Sequence, residues 1–422
     1  MDKKYEAWQN QLVKCIRCGT CRSVCPVFQA ADNENTTARG KVRLLEAVSE
    51  GKLPLTPELQ QRMGKCLLCK ACVNGCPSGV KTDELFLSAR KLLADQNGLP
   101  LAKKLAFTGL TYRKLFDLGL KMGAVFQGVV FKEAPKGRGK LARIPMPSAG
   151  LSQRRIIPPL ASAPLRTRLP ETNTVSSPKV RVAFYTGCML NYIYPEAGEA
   201  IVKILKAHDA EVVIPAKQSC CGTPAFTSGD YQVGRYLAEE NIKILADGDY
   251  DDIVTGCASC GAALKHEYGN IIEDPKVKQL WEKISKKVKD ITEFIVEQGI
   301  KQELREVKAK ITYHDPCHLV RGMGVSQQPR QLLQAIPGVE YAEMKDAAKC
   351  CGAGGTFSMA HYEISRTIND WKLDNAEKTG AAILATGCSA CRMHITDGLG
   401  QRSSNMKVLH TAEIIAKAYG LN

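Results

Sequence analysis

Eight of the eighteen cysteines in this sequence fall into two identical runs. Cys15, Cys18, Cys21 and Cys25 precede Pro26, and Cys66, Cys69, Cys72 and Cys76 precede Pro77. Each run reads C-x2-C-x2-C-x3-C-P, the spacing with which thiolates hold cubane 4Fe–4S clusters. Three thiolates of one tight coil reach three irons of a cluster. The fourth, ahead of proline, turns away to the other cluster. The expected ligand sets are therefore Cys15, Cys18, Cys21 with Cys76, and Cys66, Cys69, Cys72 with Cys25. Zinc is the alternative for C-x2-C pairs, but it needs neither the third cysteine, the C-P tail nor the duplicate. The chemistry indicated is one-electron transfer.

The other ten cysteines form two matching sets of five. Cys188, Cys220, Cys221, Cys257 and Cys260 are spaced C-x31-CCG-x34-C-x2-C. Cys317, Cys350, Cys351, Cys388 and Cys391 are spaced C-x32-CCG-x35-C-x2-C. Packing alone accounts for single buried cysteines but not for two such sets. Gly222 and Gly352 follow the adjacent pairs, where backbone must approach a ligand closely or adopt positive φ. Gly187, Gly256 and Gly387 precede cysteines and leave room for N–H to sulfur bonds, which tune a cluster. His314 and His318 flank Cys317; proton transfer is conceivable for imidazoles, but hydrogen bonding around the turn is the favoured reading. Tyr185 and Tyr192 have no role assignable from sequence.

These residues need elements to position them. Thr37 reads as the N-cap of a helix over "ARGKVRLLEAVSEG" that Gly51 stops, and Thr56 with Pro57 starts another. Thr82 reads as a cap for "DELFLSARKLLADQN", ended by Gly98 and Pro100. Residues 101–132 continue with helical spacing, as an amphipathic packing helix rather than an interfacial one. Beyond residue 180 the sequence repeats. Strand-like "VRVAFYTGC" and "AKITYHDPC" end at Cys188 and Cys317, and "DDIVTGCASC" matches "AAILATGCSAC". Landmarks recur at offsets of 129, 130 and 131 residues, the mark of a duplication. Strands alternating with helices imply mostly parallel sheets, with sites beyond the strands' carboxyl ends. The expected organisation is 1–98 helical with two clusters, 99–180 a helical segment and linker, and two α/β cysteine domains over 181–310 and 311–422. The fold class is multidomain α+β.

The net charge of +15 is concentrated. From Phe131 to Arg181 eleven Lys/Arg face two acids, and eight of the twenty prolines fall there. That composition predicts an extended, self-repelling tether. A solvated linker holding two domains apart is weighed equally with a foot on anionic lipid or a strap across a partner. Almost no aromatics interleave the charges, which argues against nucleic acid. Met1 to Asn10 lacks an apolar signal core, and reduced thiols suit a cytosolic compartment. The longest apolar stretch, Met122 to Phe131, is ten residues long, about half a membrane span. Neither G-x-G-x-x-G after a strand nor G-x-x-x-x-G-K-[ST] occurs, so no flavin or nicotinamide site is expected in this chain.

The two CCG cassettes resemble the cysteine-rich domain shared by heterodisulfide reductase subunits, anaerobic glycerol-3-phosphate dehydrogenase C subunits and lactate-utilisation proteins. Ferredoxin-type run, linker and paired cassettes together are similar to the glycolate oxidase (glycolate dehydrogenase) iron–sulfur subunits along essentially the whole chain. "YHDPCH" at Tyr313 to His318 and "CCGAGGTF" at Cys350 to Phe357 are typical of that family. The resemblance implies two 4Fe–4S clusters, with a noncubane 4Fe–4S cluster in one cassette, both or neither. It implies an FAD-containing partner subunit that oxidises glycolate or D-lactate, a quinone or membrane acceptor, and a cytoplasmic protein peripheral on the inner membrane. Equivalent subunits for glycerol 3-phosphate, D-lactate or heterodisulfide share the architecture. A metal-containing binding module without redox role is the reading from another class.

Overall fold

The computed structural model describes residues 5–145, 154–402 and 404–421. Its N-terminal part is all helical. The longer helices Ala38–Ser49, Pro57–Gly64 and Thr82–Asn97 enclose a core of Trp8, Leu45, Met63, Phe86 and Leu93, each buried. Thr37 and Thr56 cap two of these helices, their hydroxyls accepting from Gly40 N at 2.9 Å and Leu59 N at 3.2 Å. The expected cap at Thr82 is not formed. Thr82 is the first helical residue, and its hydroxyl hydrogen-bonds the Cys72 thiol at 3.1 Å instead. A nearby sulfur has outcompeted the local backbone.

Two further helices, Leu101–Thr111 and Arg113–Val130, follow. Here the packing expectation holds only for the first helix, whose Phe107 is buried with Val233 and Leu237; no described residue of the second helix is buried. Phe116 and Gln127 face inward, Phe116 edge-on to Tyr192 at 5.8 Å and Gln127 bonded to Leu160 N at 3.1 Å. The larger apolar side chains face solvent.

Two parallel sheets carry the cysteine cassettes. Strands are numbered β1 (Phe131–Glu133), β2 (Lys140–Ala142), β3 (Thr172–Asn173), β4 (Val180–Phe184), β5 (Ala210–Val213), β6 (Asp252–Thr255), β7 (Val288–Asp290), β8 (Ala309–Tyr313), β9 (Val339–Tyr341), β10 (Ile383–Thr386) and β11 (Lys407–His410). The first sheet is ordered β3-β5-β4-β6-β7, with β3 an antiparallel edge; the second is β11-β10-β8-β9, all parallel. Removing β3 leaves one order used twice. The direction in which strands are added reverses between β4 and β6, and between β8 and β10. Such switch points open a crevice beyond the carboxyl ends of the strands.

The basic, proline-rich stretch is not a free tether. Its residues 146–153 lie outside the described residues, but both flanks are packed. β1 and β2 form an antiparallel hairpin. Arg138 then reaches the Met406 carbonyl at 3.3 Å. Arg155, buried, donates to the Ser358 carbonyl and hydroxyl at 3.0 Å each. Ile156 N donates to Asp397 Oδ1 at 2.8 Å. Downstream, Leu165 is buried in the core of the first sheet domain and β3 joins its edge. The segment thus ties the two domains together. Arginine made this possible: a fork of donors satisfies buried carbonyls, so high charge did not keep the chain in solvent.

Candidate metal centres

The two N-terminal cysteine loops wind alike. In the first, Arg17 and Gly19 have φ of 59° and 87°; in the second, Leu68 and Lys70, at matching positions, have 52° and 59°. Left-handed geometry at non-glycine residues costs about 1–2 kcal/mol each, and such strain gathers at functional sites. It curls each loop: Cys15 and Cys18 come near enough to Cys21 to add to the rise that burial gives its pKa, and Cys66, Cys69 and Cys72 line one cavity. Cys15, Cys18 and Cys21 lie in the first loop, Cys18 exposed with its thiol 3.3 Å from Thr20 Oγ1. Hydrogen bonds to Thr20 lower the Cys18 pKa. Cys76 is partly buried and its sulfur accepts from Val80 N at 3.4 Å.

Cys25, Cys66, Cys69 and Cys72 border a second, largely apolar cavity that Val27 and Phe86 also line. Burial pushes the Cys25 thiol up to about 11. The Cys25 and Cys66 sulfurs accept from Phe28 N and Leu68 N at 3.5 Å. One cation missed from sequence sits here. Lys41 is fully buried, bonded to the Thr36 carbonyl at 2.6 Å. Burial lowers its pKa, opposed by the charges of Cys66, Cys25 and Cys72. A buried ammonium facing thiols suits a group carrying negative charge. Its only signal was position, since Lys41 falls on the same helix face as Val42, Leu45 and Val48.

All ten remaining cysteines lie beyond the carboxyl ends of β4, β6, β8 and β10 or on the CCG turns beside them. In the first cassette, thiol contacts run Cys188–Cys220–Cys221–Cys260–Cys257. The second links Cys317–Cys350–Cys351–Cys391–Cys388. Two contacts, invisible in sequence, join these into one array. Cys257 meets Cys388 between the cassettes. Cys69 of the N-terminal domain meets Cys350. Around the first junction, His410 Nε2–H donates to the Gly256 carbonyl at 2.6 Å and Ala258 N to the Gly387 carbonyl at 3.2 Å. His318 Nδ1 pairs with Ser259 Oγ at 3.2 Å. Beside the second, Arg321 bridges the Cys69 carbonyl at 3.1 Å and the Ala348 carbonyl at 2.7 Å.

The donor set fits a soft, sulfur-bound metal group. Every cysteine is a free thiol, and eight of the ten cassette cysteines are buried. Hydrogen bonds from two neighbouring thiols hold Cys221 and Cys351, the second cysteine of each CCG, well below the ordinary thiol pKa. Lys372 Nζ, bonded to the Ala347 carbonyl at 3.0 Å, adds a buried cation beside Cys350 and Cys351. Glycine is required where the turns approach. At Gly187, φ +57°, a Cβ would fall 2.8 Å from Cys260 Sγ; at Gly352, φ +93°, it would fall 2.6 Å from the Ser365 carbonyl oxygen. Gly352→Ala is therefore expected to destabilise the second cassette domain by about 2–5 kcal/mol, combining left-handed strain with overpacking. An earlier urea midpoint and lower iron retention check it; a wild-type midpoint would contradict the fit.

Comparison with known proteins covers each of these regions. The description "4Fe-4S dicluster domain" matches residues 11–80, and "Cysteine-rich domain" (CCG) matches 182–265 and 311–396. A probable glycolate oxidase iron-sulfur subunit of Bacillus subtilis is 29% identical over 98% of this chain and 95% of its own length. The lactate utilization protein A of Halalkalibacterium halodurans is 32% identical, over 56% of this chain and 96% of its own length. A component of the fumarate reductase (CoM/CoB) of Methanothermobacter marburgensis is 35% identical, over 58% of this chain and 47% of its own length.

Proposed function

Since the chain belongs to the family of iron–sulfur subunits that join a 4Fe–4S dicluster domain to two CCG domains, as in glycolate oxidase, we propose that it carries electrons from a flavoprotein partner that oxidises glycolate, or D-lactate, to a quinone or other membrane acceptor. The observation that carries this reading is the gathering of ten cassette cysteines at the carboxyl ends of β4, β6, β8 and β10 and the adjoining CCG turns, with Cys69 of the N-terminal domain packed in one cluster with Cys350. Bound 4Fe–4S clusters supply one-electron steps. The protein holds Cys15, Cys18, Cys21 and Cys76 for one cubane and Cys66, Cys69, Cys72 and Cys25 for the other. The cassette cysteines provide for further clusters. Lys41 and Lys372 offset accumulated negative charge, and burial shields Cys69 and eight of the ten cassette thiols from water and oxidants. Substrate is chosen by the partner, because an FAD-containing subunit must accept the hydride that single-electron centres do not. Anaerobic purification with metal analysis and EPR tests the reading. About eight irons per chain correspond to two cubanes, and more to filled cassettes. Stoichiometric zinc without iron would defeat it.

A membrane acceptor gives the outward face of the two exposed helices a purpose. Among the described residues no helix is long and apolar enough to cross a membrane. Yet Leu115, Leu118, Met122, Val125, Phe126 and Val129 line one exposed stripe of the helix Arg113–Val130, and Leu101, Leu105 and Tyr112 are exposed on the preceding helix and turn. Six Lys/Arg face one aspartate over residues 101–132. Lys114 and Lys121 border the stripe, where lysine stems can lie along lipid while ammonium groups meet anionic headgroups. Leu118→Glu with Val125→Glu is expected to weaken co-sedimentation with phosphatidylglycerol vesicles about a hundredfold or more. Both sites are exposed, so circular dichroism and iron content should not change. Equal vesicle binding by the variant would remove the membrane role from these helices.

A further inference from the structure

Among the differences between the two cassettes, one lies beside the thiols. Three residues before the first cysteine of each stands Tyr185 in the first and His314 in the second. Both are fully buried, and each sits beside the equivalent pair of thiols. Tyr185 neighbours Cys221 and Cys260. A nitrogen of His314 lies within 4.8 Å of the Cys351 and Cys391 sulfurs. Their polar atoms, however, fare differently. The Tyr185 hydroxyl donates to the Ser219 carbonyl at 2.8 Å. Neither ring nitrogen of His314 makes a well-aligned hydrogen bond; the near backbone partner is the Ala347 carbonyl, which already accepts from Asp315 N at 3.2 Å and Lys372 Nζ at 3.0 Å. An unmet buried polar group costs about 1–3 kcal/mol, which a packing role for His314 leaves uncompensated.

We propose that His314 is a metal ligand of the second cassette, adding an imidazole to the thiolates of Cys317, Cys350, Cys351, Cys388 and Cys391. The inference rests on the reading that this cassette holds metal. One nitrogen binds the metal, and the other N–H turns toward the Ala347 carbonyl, the arrangement by which backbone oxygens orient ligating histidines. The first cassette, with a satisfied phenol at that place, is all thiolate. The imidazole is a neutral donor added beside the five thiolates and replaces none of them, so the duplicated domains carry different centres.

Pulsed EPR on the anaerobically purified full chain, reduced and labelled with 15N-histidine, reads the ligand directly. The expected result is a directly coupled imidazole nitrogen on a signal beyond those of the cubanes, switching with the isotope. His314→Ala should abolish that coupling. His314→Tyr, which copies the first cassette, should abolish it while keeping more of the iron. A loaded cassette without nitrogen coupling, or coupling that persists in both variants, overturns the ligand assignment alone. A chain with only the about eight irons of two cubanes and no other metal overturns it together with the cassette reading. If the second cassette instead carries zinc, X-ray absorption should show an imidazole scatterer that His314→Ala removes.

Discussion

Cys69→Ser is expected to remove about four irons per chain and to lower acceptor reduction by the assembled complex at least about a hundredfold. Changing only the outer partners of a metal ligand already costs about 10–100-fold in affinity, so losing a ligand falls at or beyond the upper end. Cys69 also touches Cys350, whose thiol is the hinge between the N-terminal set and the second cassette. The serine variant should therefore disturb both the cubane and the passage onward. Flavin reduction by substrate, measured in the partner by stopped-flow absorbance, should continue at the wild-type rate. Cys18→Ser is the useful contrast, because Cys18 is exposed and stands apart from the array. It should cost iron from the other cubane and leave the Cys350 junction intact. Full iron content in Cys69→Ser would sink the ligand assignment, and lost flavin reduction would mean the chain joins in the substrate chemistry.

The second large effect is expected at Arg90. Its guanidinium donates to the carbonyls of Met63 at 2.9 Å, Cys66 at 2.7 Å and Thr227 at 2.6 Å. Two of these belong to the turn that begins the second cysteine loop; the third belongs to the first CCG domain. The contact is close, since a Cβ on Gly229 would lie 2.5 Å from the Arg90 carbonyl oxygen. Arg90→Met keeps the stem and deletes every donor. Stranding these carbonyls should cost about 3–5 kcal/mol. Arg90→Lys should recover only part, because an ammonium cannot span the fork. Urea unfolding followed through the buried Trp8, with iron release as a second signal, measures both. A Met variant that keeps its iron to the wild-type urea midpoint would show that the domains are joined by other means.

Much of this was legible because cysteine chemistry is written in local spacing. The paired C-x2-C-x2-C-x3-C-P runs and the two CCG sets each announce a donor cluster without any knowledge of tertiary structure. Thr37 and Thr56 were readable for the same reason, since capping is decided within four residues. Alternation of strands and helices, with offsets of 129 to 131, carried the duplicated parallel sheets. Long-range contacts were not readable. No local rule places Cys69 beside Cys350, 281 residues apart in sequence, or Cys257 beside Cys388. Composition misled where partners were distant: the strap around Arg155 reads as solvated until Ser358 and Asp397 are brought to it. At Lys41 a charged residue on an apolar helix face was the clue, and only the enclosed thiols give it meaning.

One contact sets the timing of assembly. His410 closes on the Gly256 carbonyl, 154 residues earlier in the chain. At the usual ribosomal pace of about 5–20 residues per second, that partner emerges roughly 8–30 s after Gly256. Throughout that interval the thiols of the first cassette lack the lid that the second half provides. Loading them while the chain is still being made would expose the metal to whatever oxidant or competing ion is present. The fold therefore favours maturation after both cassette domains have been made, with iron and sulfide delivered to the joined pair.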